Sequence, residues 1–153
     1  MRRIVEGLQS IAVTAWVGAL WTTGLLVAPA LFHFVPDRVL FGNLIGRLFA
    51  YTALLGIGCG AYLLLSGVLR FGSRCMRQAF FWVTLAMLAL TLVEAFAVQP
   101  IVDAVRQQAF PKPVAETMLR ERFAAWHGIA SLLYVIQCAL GLALVLWQPR
   151  TPH

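Results

Sequence analysis

The sequence predicts an all-α, polytopic membrane protein, a four-transmembrane-helix bundle built from two antiparallel hairpins. Composition is the first reason: 61% of the 153 residues are hydrophobic and only 12% charged. With a mean hydropathy of +0.82, these values lie far from those of a soluble domain. Apolar runs are the second reason, at about 11–32, 48–69, 79–98 and 123–147. Each is long enough to cross a hydrocarbon core of about 30 Å at 1.5 Å per helical residue. The third is that arginines gather at the ends of these runs, as topology signals do, and form no continuous basic face for nucleic acid. Residues 1–153 read as one integral membrane domain.

The first run follows the pair Arg2-Arg3, which suits a signal peptide, but its apolar stretch continues to Phe32. That is about twice the usual length of a signal h-region, so it reads as a retained helix. Ala15 and Ala19 give it a small-xxx-small packing step. A turn is expected at Pro36-Asp37, leaving His33 at the outer end of helix one and Arg47 at the entrance to helix two. In helix two, Gly56 and Gly60 form a GxxxG packing step with Gly58 between them.

The third run carries Thr84, Met87, Thr91 and Glu94 on one face. Near its end Pro100 removes a backbone hydrogen bond and crowds the carbonyl of Phe96, which predicts a kink. Phe110-Pro111-Lys112-Pro113 breaks the helical pattern, so helices three and four are expected to project beyond the membrane as a hairpin. In the fourth run His127, Ser131, Tyr134, Cys138 and Gly141 recur at helical spacing.

Lys and Arg divide evenly between the two sides: Arg2, Arg3, Arg70, Arg74, Arg77 and Arg150 against Arg38, Arg47, Arg106, Lys112, Arg120 and Arg122. The first set is compact and close to the span ends, which places the Arg70–Arg77 loop and both termini in the cytoplasm of a bacterial inner-membrane protein. Trp82 and Trp147 would anchor the cytoplasmic boundary and Trp126 the opposite one. Cys59, Cys75 and Cys138 show neither a disulfide framework nor metal-ligand spacing.

A hairpin tip near Pro111 makes residues level when their numbers total about 221, since both helices rise equally. Glu94 then faces His127, and Gln99 faces Arg122. His33, Arg47, Glu94 and His127 form one polar belt near the outer boundary, with Ser131 and Gln99 beside it. An intramembrane carboxylate costs about 3 kcal/mol on insertion scales and is a functional-site hypothesis by default. The candidate ligand-binding set is therefore His127, Glu94, Arg47, Ser131 and Gln99, with a Glu94–His127 structural lock as the competing reading. Gly56, Gly60, Ala15 and Ala19 are assigned to helix packing.

Two short matches suggest an internal repeat: Ala28-Pro29 with Gln99-Pro100, and Arg47–Tyr51 with Arg122–Trp126. A family resemblance rests on other residues. Trp16-Val17-Gly18-Ala19-Leu20-Trp21, Ala28-Pro29-Ala30-Leu31-Phe32, Phe41-Gly42 with Gly46-Arg47-Leu48-Phe49, and Phe123 with His127-Gly128-Ile129-Ala130-Ser131 resemble the bacterial four-helix membrane family related to transmembrane protein 205. The resemblance implies a four-helix integral membrane protein and assigns no biochemical activity. Tyr134 stands where that family often has Asn.

A looser likeness to four-helix proteins that hold haem through histidine makes haem the alternative cofactor, with His127 and His33 as its axial ligands. A metal held by His127 with Glu94 or His33, or a soft metal held by Met87, Cys138 and His127, is a further alternative. Three functions follow as expectations: an accessory or structural subunit of a larger membrane assembly or homo-oligomer, a ligand- or haem-binding protein, and an oligomeric transporter. An enzyme is the weaker reading, and the lipid bilayer is the expected partner.

Overall fold

The computed structural model describes residues 2–109 and 116–147. The expected hairpin tip at Phe110–Pro113, with Lys112, and the C-terminal Arg150 and His153 lie outside the described residues. So do the side chains of Arg2, Arg3, Arg38, Arg106 and Arg120 among the charges used for orientation.

The described residues form helices α1 (Arg2–Trp21), α2 (Ala28–Phe34), α3 (Arg38–Phe71), α4 (Ala79–Val93), α5 (Gln99–Ala109) and α6 (Glu116–Leu146). A π-helical turn, Thr22–Val27, joins α1 to α2, and another, Glu94–Val98, joins α4 to α5. Four continuous stretches are long and apolar enough to cross a membrane: Ile4–Phe34, Val39–Arg77, Ala79–Val105 and Ala124–Leu146. The chain is thus a multi-pass integral membrane protein, all helical among its described residues. The first three stretches run beyond the expected spans because backbone hydrogen bonding carries each helix through polar ends that hydropathy discounts.

Asp37 fixes the start of α3, its Oδ1 accepting the backbone N–H of Val39 at 2.8 Å and of Leu40 at 3.2 Å. Gly72 ends α3 at φ 53°, a left-handed conformation that glycine adopts without a Cβ penalty. A 3₁₀ turn, Gly72–Arg77, then leads into α4. Helix α1 packs against α3 and α6, and α4 packs against the same two helices, which closes the bundle into a ring.

The interior is small-on-large. Trp16, 1% exposed, lies across Gly56 and Gly60 of α3. A Cβ on Gly60 would come within 2.9 Å of Trp16 Cη2 and 3.1 Å of Leu88 Cδ1. Gly141 of α6 receives Val17 and Met87 in the same way. The glycines therefore admit large side chains from neighbouring helices, whereas Ala15 and Ala19 sit only half-buried beside the Trp16 face of α1. Large apolar residues such as Leu25, Leu69, Phe96 and Val135 point outward, as a lipid-facing surface requires.

Both π-turns end two residues before a proline, Pro29 and Pro100. The residue preceding each proline bonds five positions back, Ala28 N–H to Thr23 O and Gln99 N–H to Glu94 O. Widening the turn relieves the clash between the pyrrolidine ring and the carbonyl that an α-helix would place against it. The expected disturbance at Pro100 thus takes the form of a π-turn.

The repeat extends through the interior. Buried Ala12, Val13, Trp16, Leu20 and Thr23 correspond to Val83, Thr84, Met87, Thr91 and Glu94 at a constant spacing of 71 residues, which also relates the two prolines. Gly56, Gly60 and Leu63 correspond to Gln137, Gly141 and Leu144 at a spacing of 81. The Arg47–Tyr51 match to Arg122–Trp126, spaced by 75, does not follow this register.

Candidate functional site

The second hairpin carries its polar residues in a different register from the one the sequence suggests. Gln137 Nε2 donates to Thr91 Oγ1 at 3.1 Å, and Gly141 meets Met87. Level pairs on these helices therefore total 228 in residue number (91 with 137, 87 with 141). Glu94 stands level with Tyr134, and His127 lies about two helical turns away along α6. Counting from Pro111 therefore does not give the register of the described residues.

The inward face of α6 is also rotated. Gln137, Gly141 and Leu144 are buried, while His127 and Ser131 are exposed. At about 100° per residue, His127 sits about 80° around the helix from Gln137. Ser131 Oγ donates to the carbonyl of His127 within its own helix, at 2.8 Å. His33 and Arg47 are exposed and Gln99 is half-buried. Oε1 of Glu94 bonds neither His127 nor Arg47. The structure gathers no group of three or more His, Cys, Asp or Glu side chains that could hold a metal ion among those residues.

What surrounds Glu94 instead is Tyr134 and Cys138, both near enough to interact with its charge. Glu94 Oε1 is buried and has no hydrogen-bond partner. It opens a π-turn, a local geometry that recurs at functional sites. Thr91, one turn earlier, is occupied by Gln137 and by its own donation to Met87 O at 2.8 Å.

Tyr134 is held from several sides. Its hydroxyl donates to Leu20 O and lies close against Gly24. In an uninterrupted α-helix Leu20 O accepts from the Gly24 N–H, so the phenol hydroxyl donates to a carbonyl of helix one's own backbone ladder. Gly24 leaves room for it, since a Cβ there would occupy the position of the phenol ring. Phe49 packs edge-on against Tyr134, centroids 5.3 Å apart, and Trp21 Nε1 donates to Cys138 O at 3.3 Å. Helices one, two and four are thereby tied together beside Glu94.

A second polar cluster lies at the opposite end of the bundle. Arg70 Nη2 donates to Glu6 Oε1 at 2.9 Å and Nη1 to Gln9 Oε1 at 3.1 Å, while Gln9 Nε2 donates to Ser66 Oγ at 2.9 Å. The sequence held a signal for it: Glu6 and Gln9 are one turn apart, as are Ser66 and Arg70, at facing ends of the first hairpin. Gln137 was equally legible as the carboxamide one turn beyond Tyr134.

A family model described as "Domain of unknown function (DUF4149)" matches residues 11–111, taking in the first three membrane helices. No curated protein and no solved structure matches the chain. With about two-thirds of its length matched, and with helices through that stretch apolar enough to span a bilayer, the chain belongs to the DUF4149 family.

Proposed function

We propose that this protein is a small accessory subunit of the bacterial inner membrane, with both termini cytoplasmic, whose working group is the Glu94 carboxyl. That carboxyl would engage an amine or hydroxyl of a lipophilic ligand, or of a larger membrane assembly, reached from within the bilayer. The likeness to proteins related to transmembrane protein 205 belongs to this reading and names no ligand.

One observation carries the proposal. At the equivalent position of the first hairpin, Thr23 closes on Thr52 through a hydrogen bond of 3.0 Å. The second hairpin has Glu94 there, with Oε1 buried and no partner. An unsatisfied buried oxygen costs about 1–3 kcal/mol, and the smaller threonine chemistry of the first hairpin avoids that cost. A partner from outside the chain would offset it.

The test uses protein reconstituted in lipid vesicles. Glu94→Gln removes no hydrogen bond made by Oε1, so its thermal midpoint is expected to stay within about 2 °C of wild type, as substitutions with no specific lost interaction do. A lipid-soluble carbodiimide is expected to label Glu94 in the wild type, with no label at that position in the variant. Collapse of Glu94→Gln would identify a structural lock, and an intact wild-type protein unlabelled at Glu94 would show a carboxyl sealed by packing; either overturns the proposal.

A further inference from the structure

Between helices one, two and three, at the end carrying Arg70, lies a cavity of about 550 Å³. This is within the range of about 300–1,000 Å³ usual for small-molecule sites. Leu63, Leu64, Phe80 and Phe81 line its walls, and Glu6, Gln9 and Arg70 form its polar side. The two regions have different chemistry: hydrocarbon at depth, hydrogen-bonding groups at the rim.

The rim is fixed and basic. Arg70 is held by Glu6 and Gln9 and stacks over the Phe71 ring, its guanidinium carbon 5.6 Å from the centroid. A guanidinium has five N–H donors in a rigid fork, and the bonds to Glu6 and Gln9 use two of them. Cys75 and Gln78 continue the lining into the 3₁₀ turn, where Arg74 and Arg77 are exposed. Arg74 and Arg77 lie next to the lining in sequence, and Glu6 is the only carboxylate among the described lining residues. Basic pockets between membrane helices near the headgroup level recognise anionic lipid heads, and nearby arginines add attraction to an anionic surface.

We infer that this cavity binds an anionic phospholipid, its phosphate at the Arg70–Arg77 rim and one acyl chain against Leu63, Leu64, Phe80 and Phe81. The requirement for both parts follows from the geometry: an apolar cavity alone would accept any hydrocarbon, and exposed arginines alone any anion. This site is separate from Glu94, which lies two to three helical turns beyond Thr84, the lining residue nearest to it along helix three.

Gly67 supplies a test that spares the fold. It lines the cavity, and a Cβ there would meet nothing within 4 Å. Gly67→Phe is therefore chosen to fill the acyl space, its Cβ having no neighbour within 4 Å. Gly58→Phe is the control, because Gly58 is exposed and is also open within 4 Å but lies outside the lining. Arg74→Gln/Arg77→Gln removes rim charge while leaving the Arg70–Glu6 pair in place.

The full chain would be delipidated, and binding of dioleoylphosphatidylglycerol, dioleoylphosphatidylcholine, oleate and inorganic phosphate followed by native mass spectrometry. Wild type and Gly58→Phe are expected to retain phosphatidylglycerol at least tenfold more tightly than phosphatidylcholine. Gly67→Phe is expected to lose that binding with an unchanged or raised thermal midpoint, and the double arginine variant to weaken it about tenfold. Equal retention of the two phospholipids, or undiminished binding by folded Gly67→Phe, would overturn the inference. Binding of phosphate alone with the affinity of the lipid would mark an anion site, and of oleate a fatty-acid site; each would likewise overturn it.

Discussion

Gly56→Leu is expected to separate helix one from helix two, and shortening Trp16 in the same chain is expected to restore much of the lost stability. A Cβ at position 56 would fall on the indole nitrogen of Trp16, and Gly60 already confines the other end of the ring. The indole is 1% exposed, so it has no vacant space to enter. Overpacking of this kind costs about 1–3 kcal/mol, and leucine adds three carbons beyond the Cβ. In a bilayer the displaced helices lose little by facing lipid, because acyl tails are as apolar as the interior. Separation is therefore the easier response.

Trp16→Ala alone leaves a cavity where the indole lay, with an expected loss of about 3 kcal/mol. The double variant places the leucine in the space vacated by the indole, so it should be more stable than either single variant. Unfolding in mixed detergent micelles measures all four chains. An unchanged midpoint for Gly56→Leu, or simple additivity in the double variant, would show that Trp16 and Gly56 do not meet as described. Gly58→Leu should change stability little, since its surroundings are open.

Tyr134→Phe is expected to cost about 1–2 kcal/mol and to change the backbone of helix one, more than 100 residues away in sequence. The phenol hydroxyl donates to Leu20 O beside Gly24. Without it Leu20 O is free to accept from the Gly24 N–H, which would tighten the π-turn locally toward α-helical geometry. The Gly24 amide signal in a selectively labelled sample, together with its hydrogen exchange, reads this change. Loss of stability with an unmoved Gly24 amide would indicate ordinary packing by Tyr134. Gly24→Ala should be at least as damaging, because the methyl group would collide with the phenol while the hydroxyl remains.

The sequence made the fold legible through features that survive without a partner helix. Four apolar runs determine four spans because lipid tolerates only backbones that satisfy their own hydrogen bonds. The turn expected at Pro36-Asp37 is where α3 begins, with Asp37 as its cap, a local feature of the chain. Thr84, Met87, Thr91 and Glu94 could be placed on one face because helical periodicity is local too.

The site was legible only in part. Glu94 stood out because a carboxyl in an apolar run is conspicuous, but its expected neighbour His127 was chosen by counting from Pro111. The distance at which two helices become level depends on the connection between them, which residue spacing cannot supply. Trp16 over Gly56 and Gly60 was half-visible: the glycines predicted close approach, but the indole that fills them lies on another helix.

By itself the sequence determined a four-helix membrane protein and the presence of an intramembrane carboxyl, both consequences of composition and local backbone chemistry. Only the tertiary structure decided that Glu94 stands level with Tyr134, that the Tyr134 hydroxyl donates to the backbone of helix one, and that Arg70 borders a cavity. Those outcomes depend on helix rotation and relative height, which are set by the side chains of several helices packing at once.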